Sequence, residues 1–220
     1  PLKLLNGLQS IKAVMYEEFE DGNPRIQGRY VIYYKENDTW HEYSFKQVFS
    51  KLQGLKAGVI QNFVTSEMPK RILGNSCVLI CGETNGVKYS PADKKVHDVY
   101  GLRVAIPQEV NIILNPIHDH MTRFEMKLKR EYLSENGRWV VSVWNRGKRS
   151  KKGRLLGGKG PAWAIFHDGK DVTNSVQLIP NNLNVEIGII ETLEDSHLGD
   201  YLRGLQPPTS TGCGLLSANE

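Results

Sequence analysis

The sequence predicts an α/β fold, and three stretches carry the prediction. Residues 77–81, CVLIC, form a short run without a polar side chain, and residues 110–114, VNIIL, form a second run nearly as apolar. Short apolar runs of this kind suit strands covered on both faces, as in a parallel sheet. The third stretch, MTRFEMKLKREYLSENG at 121–137, shows both a strand-like alternation at Phe124, Met126 and Leu128 and a helical spacing at Met121, Phe124, Leu128 and Tyr132. Its length, its strong helix formers and the Asn136-Gly137 stop favour a helix over 121–136. A further strand follows in RWVVSVWN, 138–145. Strand, helix and strand in this order give an α/β architecture in which 77–81, 110–114 and 138–145 are neighbouring buried strands covered by the helix.

The remaining elements follow from local pattern. RYVIYYK (29–35) and WHEYSF (40–45) read as strands joined across the polar turn ENDT. The stretch 45–63 is helical in part despite two glycines, and Asn115 and Pro116 are expected to stop the strand that begins at Val110. AWAIFHDG (162–169) and NVEIGII (184–190) supply further strands, with a turn at Asp168-Gly169. No internal repeat or linker divides the chain, so residues 1–200 read as one α/β domain. Residues 201–220, with Pro207-Pro208 and small polar residues, read as an extended C-terminal arm.

Composition narrows the classes. A chain of 220 residues, 40% of them apolar, is long enough for one full core. No apolar run approaches the ~20 residues that cross a bilayer, and PLKLLNGLQS lacks the pattern of a signal peptide, so a cytoplasmic location with no membrane partner is expected. Cys77, Cys81 and Cys213 cannot all pair and none lies in a CxxC, which predicts free thiols. The net charge of +4 is uneven: residues 146–159 hold seven basic side chains and no acid. That stretch is either a solvated Gly-rich loop or a phosphate-binding patch for nucleic acid, and it lacks aromatic residues for base stacking.

Several groups are candidates for chemistry. Glu125 and Lys127, with Asp119 upstream, resemble part of a metal-dependent nuclease core, but on a helix they share no face. His118 and His120 flank Asp119 without a third zinc ligand at recognisable spacing, and His197 with Asp200 reads as a solvated turn. Cys81 is the sharper case. A cysteine inside an apolar strand is a small inert hydrophobe, the reading that fits Cys77. Cys81 instead ends the run and is followed by Gly82, Glu83 and Asn85, where the chain turns out of the sheet and backbone amides stabilise a thiolate.

In order, VLICGE, EVNIILNPIHDHM, a helix, GRWVVSVWN, a Gly-rich loop and AWAIFHDGKDV resemble the carbon-nitrogen hydrolase, or nitrilase, superfamily over roughly residues 25–195. The resemblance implies an αββα sandwich, commonly assembled into homo-oligomers, and here an expectation that the family's usual N-terminal portion is lacking. It makes Cys81 the nucleophile toward an amide or nitrile carbon, and Lys46, in a segment similar to the family's YrKxhlf, the stabiliser of developing charge. Glu67, in SEMP, resembles the second glutamate that the family places beside the lysine; its other reading is a loop carboxylate. No metal or organic cofactor is implied. The family's general-base glutamate lies early, in an fPE segment, whereas the only early acids here are Glu17, Glu18 and Glu20 in MYEEFEDG. Two readings follow: an amide or nitrile hydrolase acting through a cysteine acyl-enzyme, or a non-catalytic relative or nucleic-acid binder using residues 146–159.

Overall fold

A computed structural model describes residues 11–18, 29–50, 57–118, 123–144, 153, 160–181 and 186–192. They belong to two compact units, 1–174 and 175–220.

The first unit opens with an antiparallel sheet in the order β1-β2-β3, made of β1 (Ala13–Glu18), β2 (Arg29–Glu36) and β3 (Thr39–Lys46). The turn inside ENDT places Asn37 at φ 46° and Asp38 at φ 62°, with Glu36 opposite Thr39. Two consecutive positive φ values make a two-residue turn of the I′ type, whose twist matches the strands it joins. A short helix α1 (Ala57–Asn62) then widens into a π turn at Phe63–Glu67 and tightens into a 3-10 turn at Met68–Arg71. It realises the partly helical reading of 45–63 within the described residues.

A six-stranded mixed sheet follows. Its strands are β4 (Ile72–Leu73), β5 (Ser76–Val78), β8 (Ile112–Ile117), β9 (Trp139–Trp144), β10 (Trp163–His167) and β11 (Lys170–Asp171), in the order β11-β10-β9-β8-β5-β4. Between β5 and β8 lie a small hairpin, β6 (Lys88–Ser90) with β7 (Lys95–His97), and one turn of helix, α2 (Leu102–Ala105). Helix α3 (Phe124–Ser134) connects β8 to β9 and ends at Asn136 and Gly137, both at positive φ. β5, β8 and β9 are parallel neighbours, with Cys77 opposite Ile113 and Ile113 opposite Val140. The central strands and their helix are thus those expected from the apolar runs.

Two boundaries differ from the sequence reading. The 77–81 run leaves the strand at Val78; Leu79 still donates its amide to the Leu114 carbonyl, but Cys81 has φ 41° and opens a 3-10 turn, Cys81–Gly86. The second strand is not stopped by Asn115-Pro116 but runs to Ile117. Ile112 donates toward the β5 edge, to Asn75, and Leu114 accepts from that edge, so the nitrogen of Pro116 points the same way, beyond the last residue of β5. A proline there removes no ladder hydrogen bond.

The alternation of side chains splits the core in two. Cys77, Leu79, Ile113 and Val140 pack with Phe63, Met68, Leu133 and Phe166 on the helical side. Val78 and Ile80 pack with Tyr30, Ile32 and Leu73, against Leu114 and Cys81, between the two sheets. The class is mixed α/β. The second unit contributes a two-stranded antiparallel hairpin, β12 (Gln177–Ile179) with β13 (Ile187–Ile189). Among the described residues no helix is long and apolar enough to cross a membrane. Residues 201–220 lie outside the described residues.

Candidate functional site

The turn that carries Cys81 is held by one buried carboxylate. Glu83, fully buried, accepts from the amides of Ile80 at 2.7 Å and Val48 at 2.8 Å and from Arg71 Nη1 at 2.5 Å. Arg71 Nη2 donates to the Lys46 carbonyl at 2.8 Å, so the end of β3 and the Cys81 turn share one clamp. Burial pushes the Glu83 carboxyl up, and Arg71 and the two amides pull it back. Gly82 is required at its position because a Cβ would lie 2.4 Å from the Ser50 carbonyl oxygen. Asn85 Nδ2 donates to that same oxygen at 2.7 Å, and Thr84 Oγ1 donates to the Cys81 carbonyl at 3.2 Å. These bonds over-determine a backbone in which Cys81 adopts a φ that L residues rarely take, a conformation that costs of order 1–3 kcal/mol and is concentrated at functional sites.

Across from this turn, β8 ends and His118 follows it. His118 has the same side as Leu114, the side of the three-stranded sheet, and there meets two residues that sit opposite each other on β1 and β2, Glu17 and Tyr30. His118 Nε2 lies 2.9 Å from Glu17 Oε1 and 3.3 Å from the Tyr30 hydroxyl. The imidazole also hydrogen-bonds the Cys81 sulfur, as does the His118 backbone amide. Cys81, His118 and Glu17 therefore form a chain of thiol, imidazole and carboxylate built from three separate elements.

Burial pushes the Cys81 thiol up, but the hydrogen bonds from His118 and the charges of His118 and Arg130 outweigh it, and the thiol lies below its ordinary value. His118 is raised to about 9, first by its bond to Cys81 and then by Glu17, against burial. The imidazole therefore holds its proton at neutral pH, and beside it the Cys81 thiolate is favoured over that of an ordinary cysteine. Cys77, four residues earlier, is pushed by burial to about 12. Burial and the neighbouring Glu17 also keep the Tyr30 phenol protonated.

On the helical side of the sheet, Arg130 of α3 is fully buried. Its Nε donates to Asn115 Oδ1 and to Ser142 Oγ, each at 3.0 Å, and its Nη1 to the Met126 carbonyl at 2.9 Å. Asn115 Nδ2 in turn donates to the Leu79 carbonyl at 2.5 Å, two residues before Cys81.

The structure brings one of the three expected site residues, Cys81, into this constellation. The Lys46 side chain is exposed at the end of β3, its backbone tied to the turn through Arg71. Glu67 pairs with Lys70 at 2.9 Å on the surface. The nuclease-like residues are dispersed, with Glu125 paired to Arg123 and Lys127 to Asp171. Asp119, His120, His197, Asp200, Glu20, Cys213 and all of 146–159 except Gly153 lie outside the described residues. Among the described residues no cluster of three metal-ligating side chains occurs. Glu17 was visible in the sequence as an early acid, and His118 as a polar residue at a strand end. Nothing local paired them across 101 positions, and Arg130 in KLKREY reads as one more charge on a solvated helix face. Comparison with known proteins places the chain in no family: no family model matches it, and no curated protein sequence does.

Proposed function

We propose that the protein is a hydrolase of carbon-nitrogen bonds, acting on an amide or nitrile through a covalent acyl-enzyme on Cys81. The observation that supports this reading is the Cys81 sulfur, outside the strand at φ 41°, hydrogen-bonded to a His118 that Glu17 holds. Nucleophile, base and orienting group in hydrogen-bond sequence are the signature of covalent acyl transfer. The ordered resemblance to the nitrilase superfamily selects carbon-nitrogen bonds among the possible substrates, and with it the αββα sandwich as the finer fold.

With an amide, the Cys81 thiolate attacks the carbonyl carbon and forms a carbon-sulfur bond. The carbon-nitrogen bond breaks as the His118 imidazolium gives its proton to the departing amine. Water then adds to the thioester, passing a proton to His118, and the carboxylic acid leaves with the thiolate restored. Glu17 keeps the imidazole oriented and stabilises its charged form. In this scheme His118 takes the acid-base work that the family gives to a glutamate.

The test is intact-protein mass spectrometry during incubation with a panel of aliphatic and aromatic amides and nitriles. An acyl adduct located on Cys81, absent in Cys81→Ala and formed ~10²- to 10⁴-fold more slowly in His118→Ala, is the expected result. A Cys81 that reacts readily with iodoacetamide yet takes no acyl group from any member of the panel overturns the reading.

A further inference from the structure

Among the described residues three arginines are buried; Arg138 is bonded to the backbone carbonyls of Val110, Arg103, Ile106 and Pro107, and the other two, Arg71 and Arg130, are treated differently. Arg71 meets the Glu83 carboxylate, so its charge is neutralised where it is buried. Arg130, with no exposure, is held by three neutral acceptors: an amide oxygen, a hydroxyl and a backbone carbonyl. Its Nη2 meets no hydrogen-bond acceptor among the described residues, and none of their carboxylates pairs with it. A buried cation left without an anion is strongly unfavourable. The same fold nevertheless spends Asn115 and Ser142, from two neighbouring strands, on fixing this side chain in place.

We infer that Arg130 is the built-in counter-charge of the Cys81 thiolate, a positioning residue that keeps the nucleophile ionised from the α3 side of the sheet while His118 does so from the other. Asn115 links the two: one end of its amide accepts from Arg130 and the other fixes the Leu79 carbonyl, from which the chain steps through Ile80 to Cys81. The interaction is reciprocal. The guanidinium draws the thiol down, and the thiolate supports the charge of a guanidinium that burial lowers to about 10. Among the described residues the charged and titratable groups around Cys81 are His118 after β8 and Arg130 from α3, which act on its sulfur, Glu17 from β1 and Tyr30 from β2, which meet His118, and, in its own turn, Glu83 with Arg71. Arg71 is matched by Glu83 and His118 by Glu17. That leaves Arg130 as the cation in this set whose matching anion is the sulfur. The inference rests on the proposed function only in taking Cys81 as the reacting group, and it needs no substrate to be tested.

The experiment measures carbamidomethylation of Cys81 by iodoacetamide as a function of pH, read peptide by peptide, in the full chain and in Arg130→Met and Arg130→Lys. The expected result is an upward shift of the Cys81 midpoint by about one unit in Arg130→Met, hence roughly tenfold slower labelling on the acid side, with most of the shift recovered in Arg130→Lys. Loss of packing alone does not restore with lysine. An Arg130→Met protein with the circular dichroism and melting curve of the parent and an unchanged profile overturns the inference. Should Arg130→Met fail to fold, the unmodified chain gives the answer by arginine-selective 15N NMR: the Arg130 Nε resonance moves with the Cys81 titration and stops moving in Cys81→Ala. A resonance that stays flat through that titration overturns it equally. A shifted profile upholds the inference even if no amide or nitrile acylates Cys81, so the two readings fail separately.

Discussion

Cys77 and Cys81 stand four residues apart on one extended segment, and their surroundings are opposite. Cys77 lies inside β5, paired with Ile72 and Ile113, and burial pushes its thiol to about 12. Cys81 lies just past the point where the chain leaves the sheet, at a positive φ, with an imidazole against its sulfur and a buried guanidinium behind it. Residue type and apolar context are shared, so neither decides reactivity. The deciding step is the departure of the backbone from the ladder between Val78 and Cys81. It carries the second thiol from the apolar interior to a place that β1, β8 and α3 all reach with charged side chains.

The comparison breaks first on labelling. Three pKa units separate Cys77, at about 12, from the ordinary cysteine value of 9.0, below which Cys81 lies. At neutral pH the thiolate populations therefore differ by at least about a thousandfold. Iodoacetamide at pH 7 should modify the Cys81 peptide to completion while the Cys77 peptide stays unmodified until the chain is denatured. Equal rates at the two sites in the native protein would falsify the contrast.

The next effect falls on the clamp. Glu83→Gln removes the anion from a fully desolvated Arg71 and should cost about 3–5 kcal/mol, read as a lower urea midpoint at unchanged m-value. Because the same carboxylate anchors the Ile80 and Val48 amides, Cys81 should lose its labelling advantage in whatever folded protein remains, whereas Cys77 keeps its protection. A stable Glu83→Gln protein with parental labelling would show that the turn is held by other means. Gly82→Ala is a smaller disturbance of the same turn, about 1–3 kcal/mol, because its Cβ must displace the Ser50 backbone. A Gly82→Ala protein as stable as the parent would remove the close approach of the 47–50 segment from the account.

These elements also mark how far the sequence was legible. The parallel trio β5, β8 and β9, helix α3 and the two tight turns at Asn37-Asp38 and Asp168-Gly169 follow from short-range pattern, since apolar runs and turn residues act within a few positions. Cys81 could be singled out for the same reason: Gly82 and Glu83 follow it directly. The rest of the site depends on pairings that sequence distance hides. Glu17 reaches His118 only because β1 pairs with β2 and the resulting sheet packs on Val78 and Ile80. Arg130 lies among Lys127, Lys129 and Glu131, a run that composition assigns to solvent; its burial follows from a helix rotation fixed by Leu133 against the core. The exposed place of Lys46 and the half-buried place of Glu67 have the same origin, for side-chain direction at the end of β3 and in the turn after α1 is set by packing rather than by motif.

The smallest expected effect concerns the third member of the chain and sharpens the contrast most finely. Glu17 acts on Cys81 only through His118, whose pKa of about 9 is set first by the bond to Cys81 and then by the hydrogen bond and charge of Glu17. Because the imidazolium must donate its proton to the leaving amine, kcat/KM for an acylating amide should fall on the alkaline side as His118 deprotonates, near pH 9, and on the acid side as the thiolate is protonated. Glu17→Gln keeps an acceptor within reach but removes the negative charge, so the imidazolium is less favoured and the alkaline limb moves down. The shift should be under one unit, with less than tenfold loss at the optimum, since the Cys81 bond remains. The acid limb moves little, because the interactions that lower the thiol come from His118 and Arg130 rather than from Glu17. The Cys77 profile, which has no such partner, should not change at all. An alkaline limb that stays at pH 9 in Glu17→Gln would assign Glu17 a packing role on β1 and leave Cys81 and His118 as a dyad.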